Sequence, residues 1–96
     1  MRQAFIVTYD ISHPKRLRKV YELMCGYGDW LQLSVFRCAL TAREKIELRD
    51  QLTHIIHHGE DQVLFIDIGP ADGRAGTAIE SLGRPFLPTD TGPVVV

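Results

Sequence analysis

The chain of 96 residues has room for one domain and one hydrophobic core, and its 45% apolar and 24% charged residues are those of an ordinary globular protein. A formal net charge of −1 excludes a protein that coats nucleic acid by bulk charge, so any grip on phosphate must come from a local patch. No apolar run approaches the ~20 residues of a membrane span. The start, MRQAFIVTYD, has too short an apolar stretch for a secretory signal, so a cytoplasmic protein with no membrane contact is expected, its Cys25 and Cys38 buried as reduced thiols.

Residues Gln3 to Asp10 alternate, with Phe5, Val7 and Tyr9 on one side and Ala4, Ile6 and Thr8 on the other, which predicts a central strand. Ser12 ahead of His13-Pro14 reads as an N-cap, and Leu17, Val20, Tyr21 and Met24 recur at helical spacing until Gly26 to Gly28. Trp30 to Leu40 alternates again and predicts a second strand. Thr41 and Glu44 have the spacing of a capping box, and the stripe Ile46, Leu48, Leu52, Ile55, Ile56 predicts a helix that Gly59 ends.

Gln62 to Gly69 is apolar at nearly every position, as in a strand with a covered face, and Pro70 closes it. Thr77 to Leu82 is expected as a short, weak further strand. From about residue 84 the chain, with Pro85, Pro88 and Pro93, reads as an extended tail whose Val94-Val95-Val96 would gain burial by pairing along a sheet edge. The whole of 1–96 is expected to form one α+β domain, a ferredoxin-like βαββαβ sandwich with one antiparallel sheet and two helices on one face. Its other face carries apolar residues too, and a second copy of the chain is the economical cover, so a homodimer is expected.

The stretch Thr8-Tyr9-Asp10-Ile11-Ser12 runs from a buried strand into a carboxylate just before a capped helix. From the residues alone, Asp10 is either a turn former or helix cap, or a ligand for a hard cation such as Mg2+, completed by a second Asp10 across a dimer axis. Lys15, Arg16, Arg18 and Lys19 flank the same corner, where guanidinium forks and a helix N-terminus suit phosphate; a solvated helix face accounts for them equally well. Arg37 is a phosphate or interface candidate on the strand face opposite Phe36, which reads as packing, and Ser34 either orients a water or pairs with a neighbouring strand. His54, His57 and His58 permit two imidazoles on one helix face but lack a third ligand, and are expected as surface residues. Asp67, inside an apolar strand, is expected to partner a helix or a second subunit.

Three segments together resemble the small CRISPR-associated Cas-two family: Tyr9-Asp10-Ile11-Ser12, the basic Pro14-Lys15-Arg16-Leu17-Arg18-Lys19, and Gln32-Leu33-Ser34-Val35-Phe36-Arg37. The closing Gly92-Pro93 and apolar tail resemble the version found in subtype C of the type I systems. The resemblance covers nearly the whole chain and implies a ferredoxin-like homodimer in which Asp10 is the metal-binding, catalytic aspartate of a magnesium-dependent endonuclease on RNA or DNA. It also implies DNA binding in spacer acquisition, bridging dimers of the Cas-one integrase. Within it, Lys15, Arg16, Arg18, Lys19 and Arg37 are expected to contact nucleic acid, with Tyr9, Ser34 and Phe36 in support. Two neighbouring readings are a non-catalytic DNA-binding scaffold and a related toxin that cleaves messenger RNA.

Overall fold

Alternation in the first segment produces what it predicts. In the computed structural model, which describes residues 1–85, strand β1 spans Gln3–Asp10 and buries Ala4, Phe5, Val7 and Tyr9. Helix α1 spans Pro14–Cys25 and buries Val20, Tyr21 and Met24, residues that helical spacing brings to one side. Strands β2, Gly28–Gln32, and β3, Val35–Leu40, follow, then helix α2, Ala42–Ile55, strand β4, Gln62–Pro70, and a short 3-10 helix, Arg74–Thr77. The order βαββαβ and an antiparallel sheet arranged β2-β3-β1-β4 make the ferredoxin-like α+β fold.

β1 is central. It pairs with β3 from Gln3↔Leu40 to Thr8↔Val35 and with β4 from Gln3↔Pro70 to Asp10↔Gln62. Both helices pack on the side of the sheet that carries Phe5, Val7, Tyr9, Phe36 and Cys38, forming one core with Leu40, Leu48 and Leu52. The other side carries Ile6, Thr8, Asp10, Val35 and Arg37, and there Leu64 and Ile66 remain 46% and 47% exposed.

Several expectations need correction. The single strand Trp30 to Leu40 is a hairpin, β2 and β3, turning at Leu33-Ser34; Leu33 has φ +38, and the Trp30 indole donates to its carbonyl at 2.9 Å. Neither residue belongs to the Gly or Asn types such turns favour, so no turn signal interrupts the alternation. This hairpin supplies the fourth strand; Thr77 to Leu82 forms none, since the 3-10 helix ends there. Gly28 lets β2 close on β3: a Cβ there would lie 2.4 Å from the Arg37 carbonyl oxygen and 2.5 Å from Cys38 Sγ.

α2 ends before Gly59, at Ile56, whose extended backbone carries its side chain back against the core. Cys38 is buried, its thiol pushed up to about 12 by that burial, whereas Cys25 is exposed; both are free. Asp67 serves neither helix: its carboxylate accepts from Gln3 Nε2 at 2.9 Å and from the Gly69 N–H at 2.8 Å, beside the bulge between β1 and β4. Most of the expected tail, including Pro88, Pro93 and Val94 to Val96, lies outside the described residues.

Candidate metal and nucleic-acid site

Asp10 is the last residue of β1 and is exposed, its backbone held opposite Gln62 of β4. Side chains alternate along a strand, so Tyr9 turns into the core while Asp10 faces the open side. The Tyr9 ring stacks on Phe36 with centroids 6.3 Å apart, and Phe36 meets Tyr21 edge-on at 5.7 Å. Burial, then the neighbouring Cys25 and Tyr21, push the Tyr9 hydroxyl up to about 12, against the opposing effect of its hydrogen bond to the Ser34 side chain. Tyr9, Ser34 and Phe36 therefore anchor the strand that carries Asp10 from the opposite side of the sheet.

Immediately after Asp10 the chain is tied to the segment before β4. The Ser12 N–H donates to Asp61 Oδ1 at 2.9 Å and its hydroxyl donates to the Glu60 carbonyl at 2.7 Å. Ser12 is thus committed elsewhere, and the N-cap of α1 is His13, whose Nδ1 accepts from the Lys15 N–H at 3.1 Å, with Pro14 opening the helix.

The four cations at the start of α1 differ in their surroundings. Arg16 is partly buried and its guanidinium is engaged by Asp61, with Nε to Oδ2 at 2.7 Å, and by Glu60 at 3.1 Å. Arg18 is exposed and lies 3.5 Å from Glu22 one turn on. Lys15 and Lys19, one turn apart, are exposed, and their ammonium groups make no ion pair among the described residues. Arg37 shares the open face with Asp10, opposite Ile6 and Asp29, and lines a shallow hollow with Ala4, Ala71 and Ala75. It stands four residues along the sheet from Asp10, about 13 Å at strand spacing, so one chain does not bring the two together.

Asp10 fits a magnesium ion: its carboxylate offers hard oxygens, it is exposed, and it makes no side-chain hydrogen bond among the described residues. Those residues contain no group of three or more His, Cys, Asp or Glu side chains placed to hold a metal, so they form no ready-made metal cage around Asp10. The histidines lie apart from it: His54 Nδ1 is 2.8 Å from the Asp50 carbonyl, His58 Nε2 is 3.2 Å from that of Thr53, and His57 Nδ1 accepts from the Gly59 N–H.

Asp61 and Glu60 are the residues that sequence reasoning misses. The available signal is that they form the chain's one pair of adjacent acids, directly ahead of an apolar strand. No helix among the described residues is long and apolar enough to cross a membrane.

The family model described as CRISPR associated protein Cas2 matches residues 3–74. The CRISPR-associated endoribonuclease Cas2 1 of Rhodospirillum rubrum is 46% identical over 83 residues, covering 86% of this chain and 80% of its own. The CRISPR-associated endoribonuclease Cas2 of Geobacter sulfurreducens is 38% identical over 96 residues, the full length of both. The crystal structure of Streptococcus pyogenes Cas2 superposes with a TM-score of 0.72 at 35% identity, covering 83% of this chain and 99% of that one. On the family match and these identities, the chain belongs to the CRISPR associated protein Cas2 family.

Proposed function

We propose that this chain is a magnesium-dependent endonuclease of CRISPR adaptation that works as a homodimer, grips RNA or DNA by its phosphates and docks with the Cas1 integrase. The observation that carries the reading is the exposed Asp10 carboxylate at a strand end, followed directly by a helix whose Lys15 and Lys19 ammonium groups are unpaired among the described residues. The endoribonuclease names of the Rhodospirillum and Geobacter relatives support phosphodiester hydrolysis.

Asp10 would hold the ion, which when bound polarises a phosphodiester and lowers the pKa of a coordinated water. Lys15 and Lys19 neutralise phosphate charge, and the first turn of α1, with no acid of its own, adds the partial positive charge of a helix start. Arg18 reaches phosphate by giving up an exposed, weak pair with Glu22. In this reading Arg16 is a structural cation, because Asp61 and Glu60 already neutralise it. Tyr9, whose hydroxyl stays protonated at neutral pH, keeps the strand end in place and is no general base. Arg37 belongs to the open face, where the half-exposed Leu64 and Ile66 favour a second copy as cover. Association with the Cas1 integrase rests on family membership.

Replacing Asp10 tests the reading. Asp10→Ala is expected to fold, to keep duplex affinity and to lose magnesium-dependent cleavage; wild-type cleavage by the purified variant would place hydrolysis elsewhere. A second reading, a DNA-binding scaffold without turnover, is favoured by the lack of any group of three or more metal-ligating side chains among the described residues. It requires that neither wild type nor Asp10→Ala cleave matched single- and double-stranded RNA and DNA in magnesium. A monomeric mass in sedimentation at micromolar concentration would remove the dimer.

A further inference from the structure

The pairing of β1 with β4 runs Tyr9↔Val63, Asp10↔Gln62 and then stops as a backbone ladder, because the chain must turn toward α1. Continued in register, Ile11 would face Asp61 and Ser12 would face Glu60. That register survives in the hands of side chains: the Ser12 N–H goes to Asp61 Oδ1, and the Glu60 carbonyl accepts the Ser12 hydroxyl. Asp10 is thereby fixed on both sides, by the ladder at Gln62 and by the lock at Ser12.

The Asp61 carboxylate is the centre of that lock, and its side chain has no solvent exposure. Oδ1 accepts from the Ser12 N–H at 2.9 Å and from an Arg16 terminal nitrogen at 3.2 Å; Oδ2 accepts from Arg16 Nε at 2.7 Å and from the His57 N–H at 2.8 Å. A carboxylate offers about four lone-pair sites, so this one is filled. It has nothing left with which to hold a cation, and its charge is met by the Arg16 guanidinium. It joins three segments at one point: the turn after Asp10, the first turns of α1, and the exit from α2.

We propose that Asp61 is the positioning residue of the Asp10 site, acting through the backbone of the Asp10-Ile11-Ser12 turn and the start of α1 without touching the ion or the nucleic acid. This rests on the reading of Asp10 as the metal ligand. A ligand carboxylate set on a strand end has its direction fixed only as well as the turn beyond it. With no group of three or more metal-ligating side chains among the described residues, few other contacts compensate for a misdirected Asp10. Asn at position 61 retains one acceptor oxygen, turns an NH2 group toward existing donors and leaves Arg16 with a neutral neighbour.

The test measures Mn2+ alone, by electron paramagnetic resonance titration of the full chain, with thermal unfolding in parallel. Folded Asp61→Asn is expected to bind Mn2+ about tenfold or more weakly than wild type, the range seen when groups that orient a metal ligand are removed. Ser12→Ala, which removes one tie to Glu60, is expected to weaken binding a few-fold. Thr41→Ala, at the distant cap of α2, is expected to lower the melting temperature with no change in Mn2+ affinity, which separates positioning from lost stability. Wild-type Mn2+ affinity in folded Asp61→Asn overturns the proposal; if that variant does not fold, wild-type affinity in Ser12→Ala overturns it. Asp10→Ala separates the two layers: if it binds Mn2+ as wild type does, the metal reading itself falls and this inference with it. Loss of binding there, with none in Asp61→Asn, defeats the inference alone.

Discussion

The two helices begin in opposite ways. α2 opens on a reciprocal box in which the Thr41 side chain accepts from the Glu44 N–H at 3.1 Å and Glu44 accepts from the Thr41 N–H at 2.9 Å, with Arg2 paired to the same carboxylate. Everything the helix start needs lies within one turn, apart from that arginine. α1 opens on His13 and Pro14 with no acid in its first turn and with Lys15 and Arg16 added to an end that is already positive. The acids that meet Arg16, Glu60 and Asp61, come from 44 and 45 residues away. One start is satisfied within its own helix; the other leaves Lys15 and Lys19 without an ion pair among the described residues at an end that is already positive.

The sharpest way to break this contrast is at Asp10. Asp10→Asn is expected to lower magnesium-dependent cleavage by roughly a hundredfold or more, since metal activation is worth several kcal/mol, while the melting temperature stays near wild type. Next in size, Lys15→Ala with Lys19→Ala is expected to flatten the slope of log affinity against log salt by about one unit per lysine on duplex DNA. The corresponding removal of cations at the other helix, Arg43→Ala with Lys45→Ala, should leave that slope unchanged.

Thr41→Ala should cost about 1 kcal/mol of stability in urea unfolding and leave nucleic-acid affinity alone. Lys15→Glu would give α1 the first-turn acid it lacks. It should stabilise the fold by about 0.3 to 1 kcal/mol while weakening binding to nucleic acid, and a variant that gained both stability and affinity would refute the division of labour.

The smallest effect is in pH. Hydrogen bonds from Arg16 hold the Asp61 carboxyl well below the ordinary carboxylate range, and the Thr41 N–H, then Arg2, hold Glu44 below it as well. Each contributes stability that is complete above the ordinary carboxylate range and lost as pH falls through the depressed value in the folded protein. The gap in urea midpoint between wild type and Asp61→Asn should therefore stay constant from about pH 7 to about pH 5 and narrow only as the solution is acidified further toward pH 2.

How much of this is legible in the sequence follows the same contrast. The α2 start is readable because both members of its box lie within four residues, and β1 and β4 are readable because β1 alternates throughout and β4 is apolar at nearly every position. The β2–β3 turn is not, since Leu33 and Ser34 lack turn chemistry and alternation reads alike along either arm of a hairpin. Ser12 has the side chain of an N-cap, but a carboxylate and a carbonyl from far along the chain outcompete the helix for it. Asp10 and the lysines are visible as a strand end followed by charge. The separate fate of Arg16 is invisible, because nothing local marks which of four neighbouring cations meets a distant acid.

The Asp10↔Gln62 pairing and the Asp61 lock also set an order of events during synthesis. β1 leaves the ribosome well before β4, the last of the described strands and the one that fixes its far end, so the corner depends on contacts of long sequence separation that close late. A nascent chain stalled before Asp61 carries the acidic residue and its basic neighbours without the geometry that joins them. Completion of the polypeptide through β4 is thus a condition for a built site, which keeps unfinished copies from presenting one.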